Sequence, residues 1–368
     1  MNYKSLDIGI IILTVIITFS IGCLKPKHNW DMIGYVASAF NINGLTGQEL
    51  SENTYADVEN EVSRDKFQSL TSGYSLTSGY YKTVVYQDSR ALEQQLPFYT
   101  PRVLYIQSIR FLGDFGLSYS KSTYLISSFF AAVSVLVIAV ILKQLCLSIY
   151  FLPFIVLLSG LVTLGQYSTP DAMGCFFSLA ALSMIVRKNN IYLIIAAILP
   201  LVRTDFLILS LLLGIYGYLS GKKLMGAGSA LVSIILYISV NEVMGNYGWL
   251  TVFNFSLIDK NPYPVNMEFA VEWQNYVKLY LTVVYVLLSH PHGVIYFFGI
   301  TLLFGFKRRL SSLNFYNNFA LSMLLISLSF VLLHLMAFPT YNGRFFVFAV
   351  VINLIFIAQR LAQVKEKT

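Results

Sequence analysis

Long uninterrupted apolar runs constrain this chain more than any other feature. Leu6 to Leu24 contains a single acidic residue, Asp7, and further runs follow between short polar breaks. About 20 apolar residues are needed for a helix to cross the hydrocarbon layer of a bilayer, and the first run is nearly that long. A soluble fold would have to bury every such run. In a bilayer, backbone polar groups are satisfied inside helices and apolar side chains face lipid. Apolar residues make up 56% of the 368 positions and charged residues 12%, about half the charge content of soluble domains. The chain is therefore expected to be all-α, a polytopic integral membrane protein.

The net charge of +7 does not imply nucleic acid as a partner, because the basic residues fall in short breaks. These are Lys143, Arg187-Lys188, Lys222-Lys223, Lys307-Arg308-Arg309, and Arg360 with Lys365 and Lys367. Basic residues concentrate in cytoplasmic loops of membrane proteins. We place spans near 6–24, 122–142, 150–167, 170–186, 190–202, 205–220, 224–243, 291–306, 315–337 and 345–361, about ten transmembrane helices with both termini cytoplasmic. Ile191 to Tyr218 is too long for one crossing, so two short helices should meet around Pro200 to Thr204. Asn275 to Ser289 is read as re-entrant or interfacial. With this topology the cytoplasmic segments hold 12 basic and two acidic residues, and the opposite side 13 basic and 16 acidic. Cys23, Cys146 and Cys175 lie in or beside apolar runs and read as small buried hydrophobes.

A large outer loop, residues 25–121, follows the first helix (1–24) and carries ten of the 18 acidic residues. It reads as a subdomain with a mobile stretch near Leu70 to Tyr81. At its end, Pro97 to Gly113 reads as an interfacial amphipathic helix. The remaining divisions are a helical block 122–243, a second outer loop 244–290 and C-terminal helices 291–368.

Ionisable residues near the outer ends of the spans are few, and such residues are costly enough at that depth to suggest function. Asp31 lies in His28-Asn29-Trp30-Asp31-Met32-Ile33-Gly34-Tyr35; Asp171 follows Thr169-Pro170; Arg203 and Asp205 flank a turn; Arg344 precedes a late span. A carboxylate can act as a general base toward a hydroxyl. Arginines can hold a phosphate through paired hydrogen bonds. Each residue also has a plainer role: Asp31 as a helix N-cap, Asp171 at the positive end of a helix, Arg203 and Asp205 as a mutual pair, Arg344 and Arg102 as headgroup anchors. Trp30 could stack on a sugar. His290 and His292 flank Pro291 and suit either a polar turn or donor contacts. His334 reads as a packed, hydrogen-bonded histidine.

The order of these features resembles the glycosyltransferase C superfamily, integral-membrane transferases that use polyprenyl-phosphate sugars and include protein O-mannosyltransferases and aminoarabinose transferases. The matching stretches are the first helix followed by Asp31, the run from Pro97 through Arg102 to Tyr105, Thr169-Pro170-Asp171-Ala172 and Leu201-Val202-Arg203-Thr204-Asp205. The resemblance covers most of the first 220 residues. It implies a membrane glycosyltransferase of glycan biosynthesis in the cell envelope. Asp31 would be catalytic, and Asp171, Arg203, Asp205, Arg344, Arg102, Trp30, Tyr35, His290 and His292 would bind substrate. The implied partners are a polyprenyl-phosphate-linked sugar donor, a lipid, glycan or protein acceptor, and membrane lipids. The implied location is a bacterial inner membrane, with the site facing the periplasm or cell exterior. Many members carry two adjacent acidic residues where this chain has Asp31-Met32, which leaves a divalent metal (Mg or Mn) an open requirement. A lipid-linked glycan polymerase or ligase, and a flippase or transporter of lipid-linked sugars, are the alternatives. A transporter predicts inverted repeats and mid-membrane polar residues, and the sequence displays neither clearly.

Overall fold

The computed structural model describes residues 3–72, 76–267, 272–305 and 319–365, and 82% of these described residues are helical. Among the described residues, five helices are long and apolar enough to cross a membrane: Ser5–Leu24, Tyr119–Gln144, Lys223–Met244, Ala320–Ala337 and Gly343–Gln363. Trp273–Ser289 and Pro291–Phe304 meet the same measure as a pair bent by 82°. The bend falls at Pro291, which cannot donate a backbone hydrogen bond. The basic break Lys307-Arg308-Arg309, with residues 73–75, 315–318, Glu366 and Lys367, lies outside the described residues.

The membrane-type core is built on α8 (Tyr119–Gln144), which packs against α1 (Tyr3–Leu24) and α11 (Asp171–Val186). Small residues on α8 permit the close approach: Ser128 sits against Gly22 of α1 and bonds the Gly165 carbonyl at 3.0 Å. Small-residue interfaces are the usual means of packing helices where lipid removes the hydrophobic drive. The predicted turn near Pro200 to Thr204 is present: α12 (Ile191–Val202) ends there, and α13 (Leu207–Leu219) runs back so that its Gly217 abuts Leu193. Gly226 of α14 (Lys223–Met244) lies on the Gly214 carbonyl of α13, backbone on backbone.

Three expectations need correction. The span placed at 150–167 is broken into Phe151–Leu158 and Leu161–Gly165, because Gly160 adopts φ +78°, a left-handed conformation that ends a helix. The stretch read as a mobile loop near Leu70 to Tyr81 is largely helical, Arg64–Thr71 and Leu76–Gln87, with Tyr81 buried and its hydroxyl donating to Gln95 at 2.8 Å. Cys146 is exposed with φ +54°, since it lies past the end of α8 and is not packed within it; Cys23 is half-buried and Cys175 buried, and all three are free.

Residues 31–96 fold over one end of the bundle as short helices with their own core. Met32, Ile33, Val36, Leu50, Val58, Val85 and Leu92 are almost fully buried there. Asp57 docks this layer onto α8, accepting from the backbone N–H groups of Tyr119 at 3.0 Å and Ser120 at 2.8 Å. Those N–H groups have no helical partner, and a carboxylate there also meets the positive end of the helix. The segment expected to be an interfacial helix from Pro97 begins its α-helix only at Val103, after a tight turn at Leu96–Phe98. Its face of Tyr105, Ile106 and Ile109 is buried.

Residues 245–267 join the same layer. Gln95 donates to the Pro262 carbonyl at 2.8 Å, the Tyr247 hydroxyl to the Gln94 carbonyl at 2.9 Å, and the Tyr263 hydroxyl to Asp88 at 2.6 Å. Phe255 stacks on Phe98 with ring centroids 4.2 Å apart. The two polar segments therefore form one roof over the helix ends.

Candidate active site

Asp31 is positioned by the chain that leaves α1. The Lys27 N–H bonds the Gln166 carbonyl at 2.9 Å, and the Gln166 side chain returns a bond to the Lys25 carbonyl at 2.7 Å. Asn29 continues this seam: its side-chain Oδ1 accepts from the Ser168 N–H at 2.9 Å, and its side-chain Nδ2 donates to Asp31 Oδ2 at 2.8 Å. His28 takes a positive φ of 41° to make the turn. Asp31 is the first residue of α2 (Asp31–Ile42), and no side chain caps that helix. The capping role weighed for Asp31 is thus not what holds it; its partners are Asn29 and an arginine 313 positions away.

The acidic and basic residues form a continuous ladder. Arg344 Nη1 bonds Asp31 Oδ2 at 2.7 Å, while its Nε lies 3.2 Å from Asp171 Oδ2, a charge contact without hydrogen-bond geometry. Arg203 Nη1 bonds Asp171 Oδ1. Arg203 also grips Asp205 with both oxygens, Nε to Oδ1 at 3.0 Å and Nη2 to Oδ2 at 2.9 Å. His334 Nε2 meets Asp205 Oδ2 at 3.1 Å. Five separated parts of the chain thus meet: the end of the α1 loop, the start of α11, the α12–α13 turn, the helix Phe319–Ala337 through His334, and the helix start at Arg344. Phe345 lies between the two guanidinium groups, 4.2 Å from Arg203 and 5.2 Å from Arg344.

The three carboxylates are not equivalent. Asp171 is 2% exposed at its side chain, with Arg203 on one oxygen and Thr169 and Arg344 on the other. Asp205 has both oxygens occupied by Arg203 and His334. Asp31 is 24% exposed, and both of its hydrogen bonds fall on Oδ2. Among the described residues, its Oδ1 is the carboxylate oxygen of this set with no protein donor. A carboxylate oxygen open to a cavity can receive a proton; one saturated by arginine cannot do so readily.

The ladder lines a cavity of about 550 Å³, within the range of small-molecule sites. Trp30, Tyr35, Tyr99 and Arg102 line it from the roof side, with Lys260 from the second polar segment. Leu207, Ile208 and Tyr237 line it from the helices, giving an apolar flank beside the charges. Tyr35 is buried edge-on to Tyr99 and Tyr105, and burial pushes its phenol up to about 12, so it remains a donor. Gly34 is required where α2 meets the Tyr99 ring, because any Cβ there would overlap that ring. Arg102 gives Nη1 to the Phe98 carbonyl and pairs with no carboxylate among the described residues.

Eight of the ten candidates named from the sequence line this cavity: Asp31, Asp171, Arg203, Asp205, Arg344, Arg102, Trp30 and Tyr35. His290 and His292 do not. They pack behind Gly343 against Tyr341, with His292 Nδ1 2.9 Å from the Tyr341 hydroxyl, because Pro291 turns them away from the opening. They support the turn that presents Arg344. Asn29, Tyr99 and Lys260 were missed: an asparagine two residues before an aspartate was the available signal for the first, and no local pattern marks the others. Among the described residues, no three His, Cys, Asp or Glu side chains converge as a metal-binding set. Comparison of the chain with protein-family models, curated proteins and solved structures finds no match.

Proposed function

We propose that the chain is a membrane glycosyltransferase that moves a sugar from a polyprenyl-phosphate donor to an acceptor hydroxyl at this cavity. The observation that carries the reading is the unpartnered Asp31 Oδ1 facing a cavity edged by arginines. In the reaction the acceptor oxygen attacks the anomeric carbon, and the bond from that carbon to the phosphate oxygen breaks. The hydroxyl proton passes to Asp31 Oδ1, and the lipid phosphate leaves unprotonated with inversion. Arg102 and the remaining face of Arg344 hold the phosphate, while Arg203 holds Asp171 and Asp205 in place. Trp30 and Tyr35 shape the sugar site. Orientation by fixed charges, with water excluded, is how such a displacement is accelerated.

The accompanying topology has ten crossings with both termini cytoplasmic, in a bacterial inner membrane, and the cavity on the outer side. Arg187 is exposed at the opposite end of the helix that Asp171 begins, and Lys143 is exposed at the end of α8 opposite the roof, which supports that sidedness. The test is incubation of purified protein with labelled polyprenyl-phosphate hexoses and a membrane lipid extract. Wild type should release polyprenyl phosphate and transfer label. Asp31→Asn should lose transfer by about 10²–10⁴-fold, the contribution of a general base, while inserting normally. Undiminished transfer by Asp31→Asn would overturn the assignment.

A further inference from the structure

Lysines gather beside Trp30 and Tyr81, two aromatic rings that line the cavity. Lys82 Nζ lies 5.7 Å from the centre of the Trp30 ring, and Lys260 Nζ lies 5.9 Å from the Tyr81 ring. Those two rings are themselves 5.5 Å apart. Lys66 is near enough for its charge, with that of Lys260 and after burial, to lower the affinity of Lys82 for its proton. None of the three forms an ion pair with a carboxylate among the described residues; Lys82 is fixed instead by the Ser69 carbonyl at 2.7 Å. The neighbouring helix Gly47–Glu61 carries Glu49, Glu52, Asp57, Glu59 and Glu61, so carboxylates were available nearby and are directed elsewhere. Glu61 takes the Tyr124 hydroxyl at 2.6 Å, and Asp57 caps α8.

Like charges held together without counter-charges destabilise a fold unless an anion joins them. An aromatic face beside them suits the flat apolar face of a sugar ring. We infer that the acceptor is an acidic saccharide: its ring lies on Trp30, and its carboxylate is taken by Lys82 and Lys260, with Lys66 adding to the field. This rests on the transferase reading for what happens next, but the binding itself does not. Trp30 precedes Asp31 in the chain and both line the cavity, so an acceptor held there offers a hydroxyl toward the base.

The test measures binding by calorimetry on full-length protein in a neutral detergent, using a galacturonate tetramer and a neutral maltotetraose as probes. The acidic probe should bind more tightly at low salt, with affinity falling as salt is raised. Lys82→Gln/Lys260→Gln should weaken the acidic probe by about tenfold, two partly exposed charge pairs together, and leave the neutral probe unchanged. Equal binding of both probes, or a preference that survives the double substitution, would overturn the inference. So would displacement by phosphatidylglycerol micelles of a probe that excess galacturonate does not displace, which would assign the lysines to a lipid headgroup. Loss of transfer in Asp31→Asn without acidic preference in wild type removes this inference alone, and acidic preference with normal transfer in Asp31→Asn removes the transferase reading alone.

Discussion

Arg203 is the residue whose removal should cost the fold most. Its side chain is 7% exposed and holds two carboxylates, Asp171 at 2% exposure and Asp205 at 24%. Arg203→Met keeps most of the volume and removes the charge. Asp171 would retain only Thr169 and the Arg344 contact at 3.2 Å, and Asp205 only His334. Leaving a buried charge without its partner costs about 3–5 kcal/mol. Asp205 is partly solvated and adds little, so the loss should be about 3–4 kcal/mol. At roughly 2–4 °C per kcal/mol for chains of 150–250 residues, the melting temperature should fall by roughly 6–16 °C. The assay is thermal unfolding of detergent-purified protein followed by tryptophan fluorescence. The triple variant Arg203→Met/Asp171→Asn/Asp205→Asn should regain about half of the loss, because replacing a whole buried ion set is far cheaper than breaking it. If the triple variant melts no higher than the single one, uncompensated charge is not the cause and the argument fails.

Other consequences are open to equally direct tests. His28 is half-buried beside Tyr124, and burial lowers its proton affinity below that of an ordinary histidine. Its contribution to stability is present above the unfolded value near 6.5 and is lost as pH falls through the lower folded value. His28→Asn, which tolerates the positive φ, should therefore flatten the decline in melting temperature between pH 7 and pH 5, and an unchanged decline would refute this. Gly34→Ala should destabilise by roughly 1–3 kcal/mol through overlap with the Tyr99 ring, read as a lower melting temperature together with reduced transfer. In intact cells, a membrane-impermeant maleimide should leave the exposed Cys146 unlabelled yet label a cysteine introduced at Asp65, which is exposed in the roof. The reverse pattern would invert the proposed topology.

Much of this arrangement is legible in the residues alone, for a physical reason. Charge is so scarce near these helix ends that Asp31, Asp171, Arg203, Asp205 and Arg344 stand out without any knowledge of contacts, and all five meet in one ladder. What hydropathy does not sense is backbone conformation. The run at 150–167 is apolar throughout, and only the left-handed φ at Gly160 divides it. The Leu-Thr-Ser-Gly repeat near Tyr81 has loop composition, yet Tyr81 and Val85 find a core contributed by distant Leu50 and Phe255. Tertiary burial overrides local preference there. Lys260 was invisible as a site residue because its relation to Tyr81 depends on two loops meeting far from each other in sequence. His290 and His292 attracted attention by spacing, and spacing does not show which way a proline turn faces.

The pairing of Asp31 with Arg344 also sets a clock. The aspartate is made among the first residues and its arginine partner 313 positions later, so at ribosomal speeds of about 5–20 residues per second it waits roughly 15–60 seconds for that partner. Through that interval Asp31 lacks its arginine, and Asp171 waits for Arg203 and Arg344 in turn. The ladder can close only when Arg344 has been delivered, so the site assembles late relative to its first carboxylate. A product that ends before Arg344 would carry Asp31 without its arginine while Asp171 and Asp205 keep Arg203, a chemical mark by which a membrane protease could tell such copies apart.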